Sequence, residues 1–231
     1  MATYVLVHGG LTDGAYWTDV ADRLRSTGHA VHVVERLPSV GSGDASALGG
    51  LDDDTAAVRD VVEAAGTPVV LVAHSGGGMA VTELADHPGV AHSVYVAALV
   101  PRRGESAMDL LAAAGGPVDW IVPGEDGVIR PTDDIDRLVE VLCGDTDEER
   151  ARAFVSRLVG QSAASLTTPS TAPARGHAAT FVVTERDAVF PPAAQERMAE
   201  RADHVLRIDA SHTPMLSRPD ELAAVLHGAV G

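Results

Sequence analysis

Six short valine-rich runs constrain this chain more than any other feature. They are "TYVLVH" (3–8), "HAVHVV" (29–34), "PVVLVA" (68–73), "SVYVAALV" (93–100), "AATFVVT" (178–184) and "HVLRID" (204–209). Each has strand length and little polar alternation, the pattern of strands covered on both faces. Between them lie apolar residues at helical spacing: Tyr16, Trp17, Val20 and Leu24 before Gly28; Val58, Val61 and Val62 behind the capping run Asp52 to Asp54; Met79, Ala80 and Leu84 before Pro88. Two later segments, Ala193 to Ala202 behind Pro191 and Pro192, and Glu221 to Leu226 behind Pro219, follow prolines placed where helices begin. Strand then helix, repeated, predicts an α/β fold with a mostly parallel six-stranded sheet and helices on both faces.

Residues 101–177 break the rhythm. They show helical pieces at 106–114, 133–142 and 147–159, punctuated by proline and glycine, and no strand is expected there. The Ser/Thr/Pro/Ala stretch "SLTTPSTAPARG" closes them as a loop or hinge. The expected organisation is a core of 1–100 and 178–231, with 101–177 a helical cap inserted over one edge of the sheet. At 231 residues and 45% hydrophobic, the chain suffices for one sizeable core and is short for two.

The formal charge of −16 repels phosphate backbones and anionic lipid, and the 17 Lys and Arg positions, all arginine, form no dense cluster. Nucleic acid and membrane are therefore not expected as partners; the acidic balance itself points to no specific partner, and a small-molecule substrate and a homodimer stay open. The only cysteine, Cys143 in "LVEVLCG", rules out an internal disulfide and reads as a small buried hydrophobe. "MATYVLVHGG" has no basic leader region and runs straight into a strand, and no apolar run reaches membrane-span length, so a cytoplasmic location is expected.

One serine stands out against this frame. In "VVLVAHSGGGMAV" (69–81) a buried run passes into a helical pattern through Ala73-His74-Ser75-Gly76-Gly77. Small residues two before and two after Ser75 permit a very sharp strand-to-helix turn, which holds the hydroxyl above the strand ends and leaves the Gly76 N–H free for an oxyanion. A serine capping a helix in a glycine turn is the plainer alternative. A dinucleotide fingerprint is excluded by Val81, where glycine is required, and by its place after a later strand.

A serine nucleophile needs a base, and the base an orienting acid. His212 in "DASHTPMLSRPDEL" lies beyond the last strand, and "TERDAVFPP" supplies Asp187, with Glu185 in reserve. The loop after the first run, "VHGGLTDGAYW", offers Gly10, whose N–H is expected to complete an oxyanion hole with that of Gly76. His8 and His74 read as structural, and no histidine pair has metal spacing with a third ligand, so no metal is expected; acyl transfer on a serine requires no organic cofactor either.

On these stretches, together with "YVAALVPRRGES", the sequence resembles the α/β-hydrolase superfamily, and within it the group of plant methylesterases and hydroxynitrile lyases. The resemblance covers most of the core and little of the cap. It implies Ser75 as nucleophile, His212 as general base and then acid, Asp187 as orienting acid, and Gly10 and Gly76 as the oxyanion hole. It also implies that the first two strands of larger members are missing. Lyases of the group carry threonine after the oxyanion-loop histidine and lysine after the catalytic one; here Gly9 and Thr213 stand there. The aspartate nucleophile of dehalogenases and epoxide hydrolases is replaced by Ser75. The expected function is hydrolysis of a small hydrophobic carboxylic ester, with a lyase or biosynthetic cyclase, and a small-molecule receptor of little turnover, as alternatives. Met108, Leu110, Leu111, Trp120, Leu142, Phe154 and Leu158 are the apolar cap residues placed to line a pocket.

Overall fold

The computed structural model describes residues 1–229. Its strands are β1 (Thr3–Val7), β2 (Ala30–Val33), β3 (Val40–Gly41), β4 (Val69–His74), β5 (Val90–Val96), β6 (Ile121–Pro123), β7 (Val128–Pro131), β8 (Gly160–Ser162), β9 (Ala178–Thr184) and β10 (His204–Ile208). Six of them form one parallel sheet in the order β10-β9-β5-β4-β1-β2. The order reverses direction at β1: the chain first steps outward to β2, then crosses back to β4 on the other side. Because such crossovers are right-handed, the helix Thr18–Ser26 and the helix Leu51–Ala64 fall on opposite faces. The loops leaving β1 and β4 therefore diverge, and a crevice opens at the carboxyl ends of these neighbours.

All six residues of β4 are buried, as its unbroken apolar run requires. The two outermost strands correct the expectation of cover on both faces. In β2 no residue is fully buried, and in β10 only Ile208 is, with Val205 44% exposed. An edge strand lies beyond the reach of the covering helices, and His32, His204 and Arg207 take its wet positions. The fourth run is also displaced: β5 ends at Val96, where Ala97 turns the chain with φ +44°.

Residues 101–177 contain the helices Ala107–Ala114, Ile135–Cys143, Glu148–Val155 and Ala163–Thr167, but the expectation of no strand there is wrong. β6, β7 and β8 join β3 in a four-stranded antiparallel sheet of order β3-β8-β7-β6. Since β3 lies between β2 and the helix Leu51–Ala64, its pairing with β8 stitches residues 101–177 to that stretch by backbone hydrogen bonds. Beside this seam, Ser162 N–H donates to Ser39 O (2.8 Å) and Val159 N–H to Leu11 O (2.8 Å). Asp54, on the helix beneath, accepts from the Ser39 N–H (2.8 Å) and hydroxyl (2.6 Å). Among the described residues no helix is long and apolar enough to cross a membrane.

Candidate active site

Ser75 stands at the carboxyl end of β4, in a short turn Ser75–Gly77 that leads into the helix Gly78–Glu83. Its φ is +51°, a left-handed conformation that costs a non-glycine residue roughly 1–2 kcal/mol. Among the described residues two other non-glycine residues share it, Leu11 (φ +61°) after β1 and Ala97 after β5. All three lie in loops at the carboxyl ends of adjacent strands, the kind of place where strain gathers around function. The glycines behind Ser75 are sterically required. A Cβ on Gly77 would lie 2.3 Å from the His8 carbonyl oxygen, and one on Gly78 would lie 2.0 Å from that of Leu99.

The structure brings His212 and Asp187 to this serine. His212 Nε2 is 3.0 Å from Ser75 Oγ, and His212 Nδ1 is 2.8 Å from Asp187 Oδ2. Asp187 follows β9 and is held from every side: the Val189 and Phe190 N–H groups donate to Oδ1 (2.8 and 2.9 Å), while Thr184 Oγ1 (2.8 Å) and Gln195 Nε2 (3.2 Å) donate to Oδ2. The carboxylate so anchored takes the Nδ1 proton of His212 as a hydrogen bond, which leaves Nε2 as the acceptor facing the serine hydroxyl. The imidazole is 3% exposed and lies between the rings of His74 and Phe190, at centroid distances of 4.7 and 5.4 Å. Both its neighbours are fastened to the cap, Ser211 to Asp145 and Thr213 Oγ1 to Leu142 O (2.8 Å). Glu185, the reserve acid, is exposed.

Gly10 and Gly76 also meet: a Cβ built on Gly76 would lie 3.4 Å from Gly10 N, so the two glycine loops approach each other beside Ser75. The loop carrying Gly10 is braced by buried neutral groups. Leu37 N–H donates to His8 Nε2 (2.8 Å), so His8 Nδ1 carries the proton and donates to Gly9 O (2.7 Å). Burial pushes His8 down to about 4, which keeps it neutral. Gly9 N–H donates to Tyr16 Oη (2.8 Å), and that hydroxyl donates to His74 Nδ1 (2.8 Å). His74 Nε2–H in turn donates to the carbonyl of His212 (2.8 Å). Burial holds His74 well below the usual histidine range and Tyr16 well above the usual tyrosine range. One uncharged chain therefore ties the Gly10 loop to the backbone of His212.

A cavity with about 70 Å³ of space open to the centre of a water molecule lies above Ser75. Leu111, Trp120, Leu142, Phe154 and Leu158 of the expected lining are in its wall, joined by Ile121, Ile129 and Leu166. Met108 and Leu110 are not; Met108 is 39% exposed and Leu110 is buried outside the cavity wall. No lysine or arginine lines the cavity. Cys143 is buried beside it, and burial pushes its thiol up to about 12, so it fills apolar space as expected.

The profile of the family described as "Alpha/beta hydrolase family" matches residues 4–225. The chain is an α/β-hydrolase. It is 28% identical to a pyrethroid hydrolase of Sphingobium wenxiniae over 96% of this chain and 85% of that protein. It is 38% identical to a carbendazim hydrolyzing esterase of a Nocardioides species over 51% of this chain and 50% of that protein. The crystal structure of polyneuridine aldehyde esterase superposes with a TM-score of 0.83 at 19% identity, covering both chains fully, a likeness of fold.

Four residues of this α/β-hydrolase that shape the site escaped sequence reasoning. Tyr16 read as a helical core position and His74 as the neck of a turn, because their partners lie 58 and 138 residues away. Gln195 is hidden in an ordinary helix, and Gln161 in the three-residue β8, too short to show a period. The Asp126-Gly127 pair between "IV" and "VI" was the available signal for the β6–β7 hairpin.

Proposed function

We propose that this α/β-hydrolase is a carboxylesterase that works through an acyl-enzyme on Ser75. The observation that carries the reading is the unbroken line from Asp187 Oδ2 through His212 to Ser75 Oγ, at 2.8 and 3.0 Å, ending on a serine held in a left-handed turn. Ser75 Oγ attacks the carbonyl carbon while His212 Nε2 takes its proton, and the carbonyl oxygen gathers charge against the Gly10 and Gly76 N–H groups. Asp187 stabilises the imidazolium that forms. Collapse expels the alcohol, which receives the proton from His212 Nε2. Water then loses a proton to the same nitrogen and attacks the acyl carbon, and collapse breaks the Ser75 Oγ–acyl bond, releasing the acid as His212 returns the proton to Oγ.

The apolar wall supports a hydrophobic substrate. The absence of any cation from it favours hydrolysis over cyanide-releasing chemistry, which leaves an anion to be stabilised. The two relatives described as a pyrethroid hydrolase and a carbendazim hydrolyzing esterase support hydrolysis as well. The test is steady-state hydrolysis of p-nitrophenyl acetate, butyrate and hexanoate by the wild type and Ser75→Ala. Turnover by the wild type that falls at least about a thousandfold in Ser75→Ala is expected; turnover that survives the substitution overturns the acyl-enzyme.

A further inference from the structure

The polar side chains lining the cavity are nearly all engaged elsewhere. Tyr16, His74, Ser75 and His212 bond to one another or to backbone, Thr213 donates to Leu142 O, and Trp120 Nε1 donates to Pro117 O (2.9 Å). Besides the Thr12 hydroxyl, what remains is the carboxamide of Gln161, which is 8% exposed. Its Nε2 donates to Ser165 Oγ (3.2 Å), and that hydroxyl spends its own proton on Ser162 O (2.8 Å). Ser165 Oγ therefore accepts only, which fixes the amide orientation and turns Oε1 the other way. Among the described residues Oε1 has no hydrogen-bond partner. It lies against the Gly10 loop: a Cβ on Gly10 would be 2.3 Å from it, so the glycine at 10 makes room for this oxygen. The backbone of Gln161 cannot drift, because β8 is paired with β3 of the core and with β7.

Gln161 Oε1 is open to the cavity beside the Gly10 loop, so it is an acceptor free to meet a donor carried by a ligand there. We propose that Gln161 is a specificity-determining residue, its Oε1 accepting a hydrogen bond from an O–H or N–H borne by the substrate one or two atoms from the carbonyl carbon. The donor belongs to the acyl part. In the proposed cycle His212, which follows β10, delivers the proton to the leaving oxygen, whereas Gln161 lies against the Gly10 loop that follows β1. The favoured substrates are thus α- or β-hydroxy esters and their amino counterparts, apolar elsewhere. As a statement about reaction this rests on the esterase reading, but the recognition itself requires only the cavity.

The test uses pairs in which a hydroxyl is exchanged for a methyl: p-nitrophenyl lactate against isobutyrate, and p-nitrophenyl β-hydroxybutyrate against isovalerate. In the wild type kcat/KM is expected to favour the hydroxy member of at least one pair by about tenfold or more, and Gln161→Leu to abolish that preference. Comparing two substrates on one preparation cancels any loss of folded enzyme. The same pairs bound to Ser75→Ala and to Ser75→Ala/Gln161→Leu give a preference in Kd that needs no turnover. A preference in binding without hydrolysis sinks the esterase reading and keeps this one. Equal treatment of both members by the wild type, or a preference that survives Gln161→Leu, overturns it. Should Gln161→Leu fail to fold, Ser165→Ala, which frees the carboxamide to turn, must narrow the preference, and an unchanged ratio refutes the proposal.

Discussion

Tyr16→Phe removes a single oxygen and leaves two buried groups without partners, which makes it a sharp test of the chain that joins the Gly10 loop to His212. The ring keeps its shape, so packing against Trp17, His74 and Phe154 is conserved. What is lost is the acceptor for the Gly9 N–H and the donor to His74 Nδ1, both at 2.8 Å and both buried. An unsatisfied buried group costs roughly 1–3 kcal/mol, so the pair predicts a loss of about 2–5 kcal/mol in stability. Tyr95→Phe is the matched control. Tyr95 is also buried, but its hydroxyl makes one 3.2 Å bond to Thr82 Oγ1, which still donates to Gly78 O (2.7 Å) afterwards. With no orphaned donor, that substitution should cost about 0.5–1 kcal/mol. Urea unfolding with unchanged slope measures both. Ester turnover by Tyr16→Phe should fall in kcat, because Gly9 and the His212 carbonyl lose their common tether. Equal stability losses in the two variants would refute the chain as an energetic unit.

Two further substitutions probe the turn and the seam. Gly77→Ala sets a Cβ against backbone that cannot yield, and it should abolish most turnover and lower the melting temperature by several degrees, since overpacking costs about 1–3 kcal/mol. Gly104→Ala, where φ is +91° and no atom lies within 4 Å, should carry only backbone strain and leave turnover intact. At the seam, burial outweighs the Ser39 hydrogen bonds and raises Asp54 to about 6. Because the folded value exceeds the unfolded one of about 3.9, the folded state holds this proton more tightly; the stabilisation is full below about pH 4 and is lost as the pH rises through about 6. Asp54→Asn should therefore flatten the fall in unfolding free energy between about pH 4 and 8 by on the order of 2 kcal/mol, read by urea titration at several pH values. An identical pH profile in wild type and variant would contradict the assignment.

The six core strands were legible because a strand buried on both faces leaves an unbroken apolar run, and Ser75 because a sharp turn admits only small residues around it. Asp187 and His212 followed from chain order and loop position. The same logic failed where its physical cause is absent. β2 and β10 were legible as strands but not in their cover, since they lie at the edges where half the surface is wet, and β6, β7 and β8 are of three or four residues, below the length at which alternation registers. Tyr16, His74, Gln161 and Gln195 act through contacts distant in the chain, which no local pattern encodes. The cap sheet was the most consequential omission, since it fixes Gln161 over the site.

Whether Ser75 is an activated nucleophile is decided by intact mass after exposure to a small fluorophosphonate. One adduct per chain, mapped to Ser75 and absent from Ser75→Ala, is expected. No adduct in folded protein, or one that persists in Ser75→Ala, would contradict it.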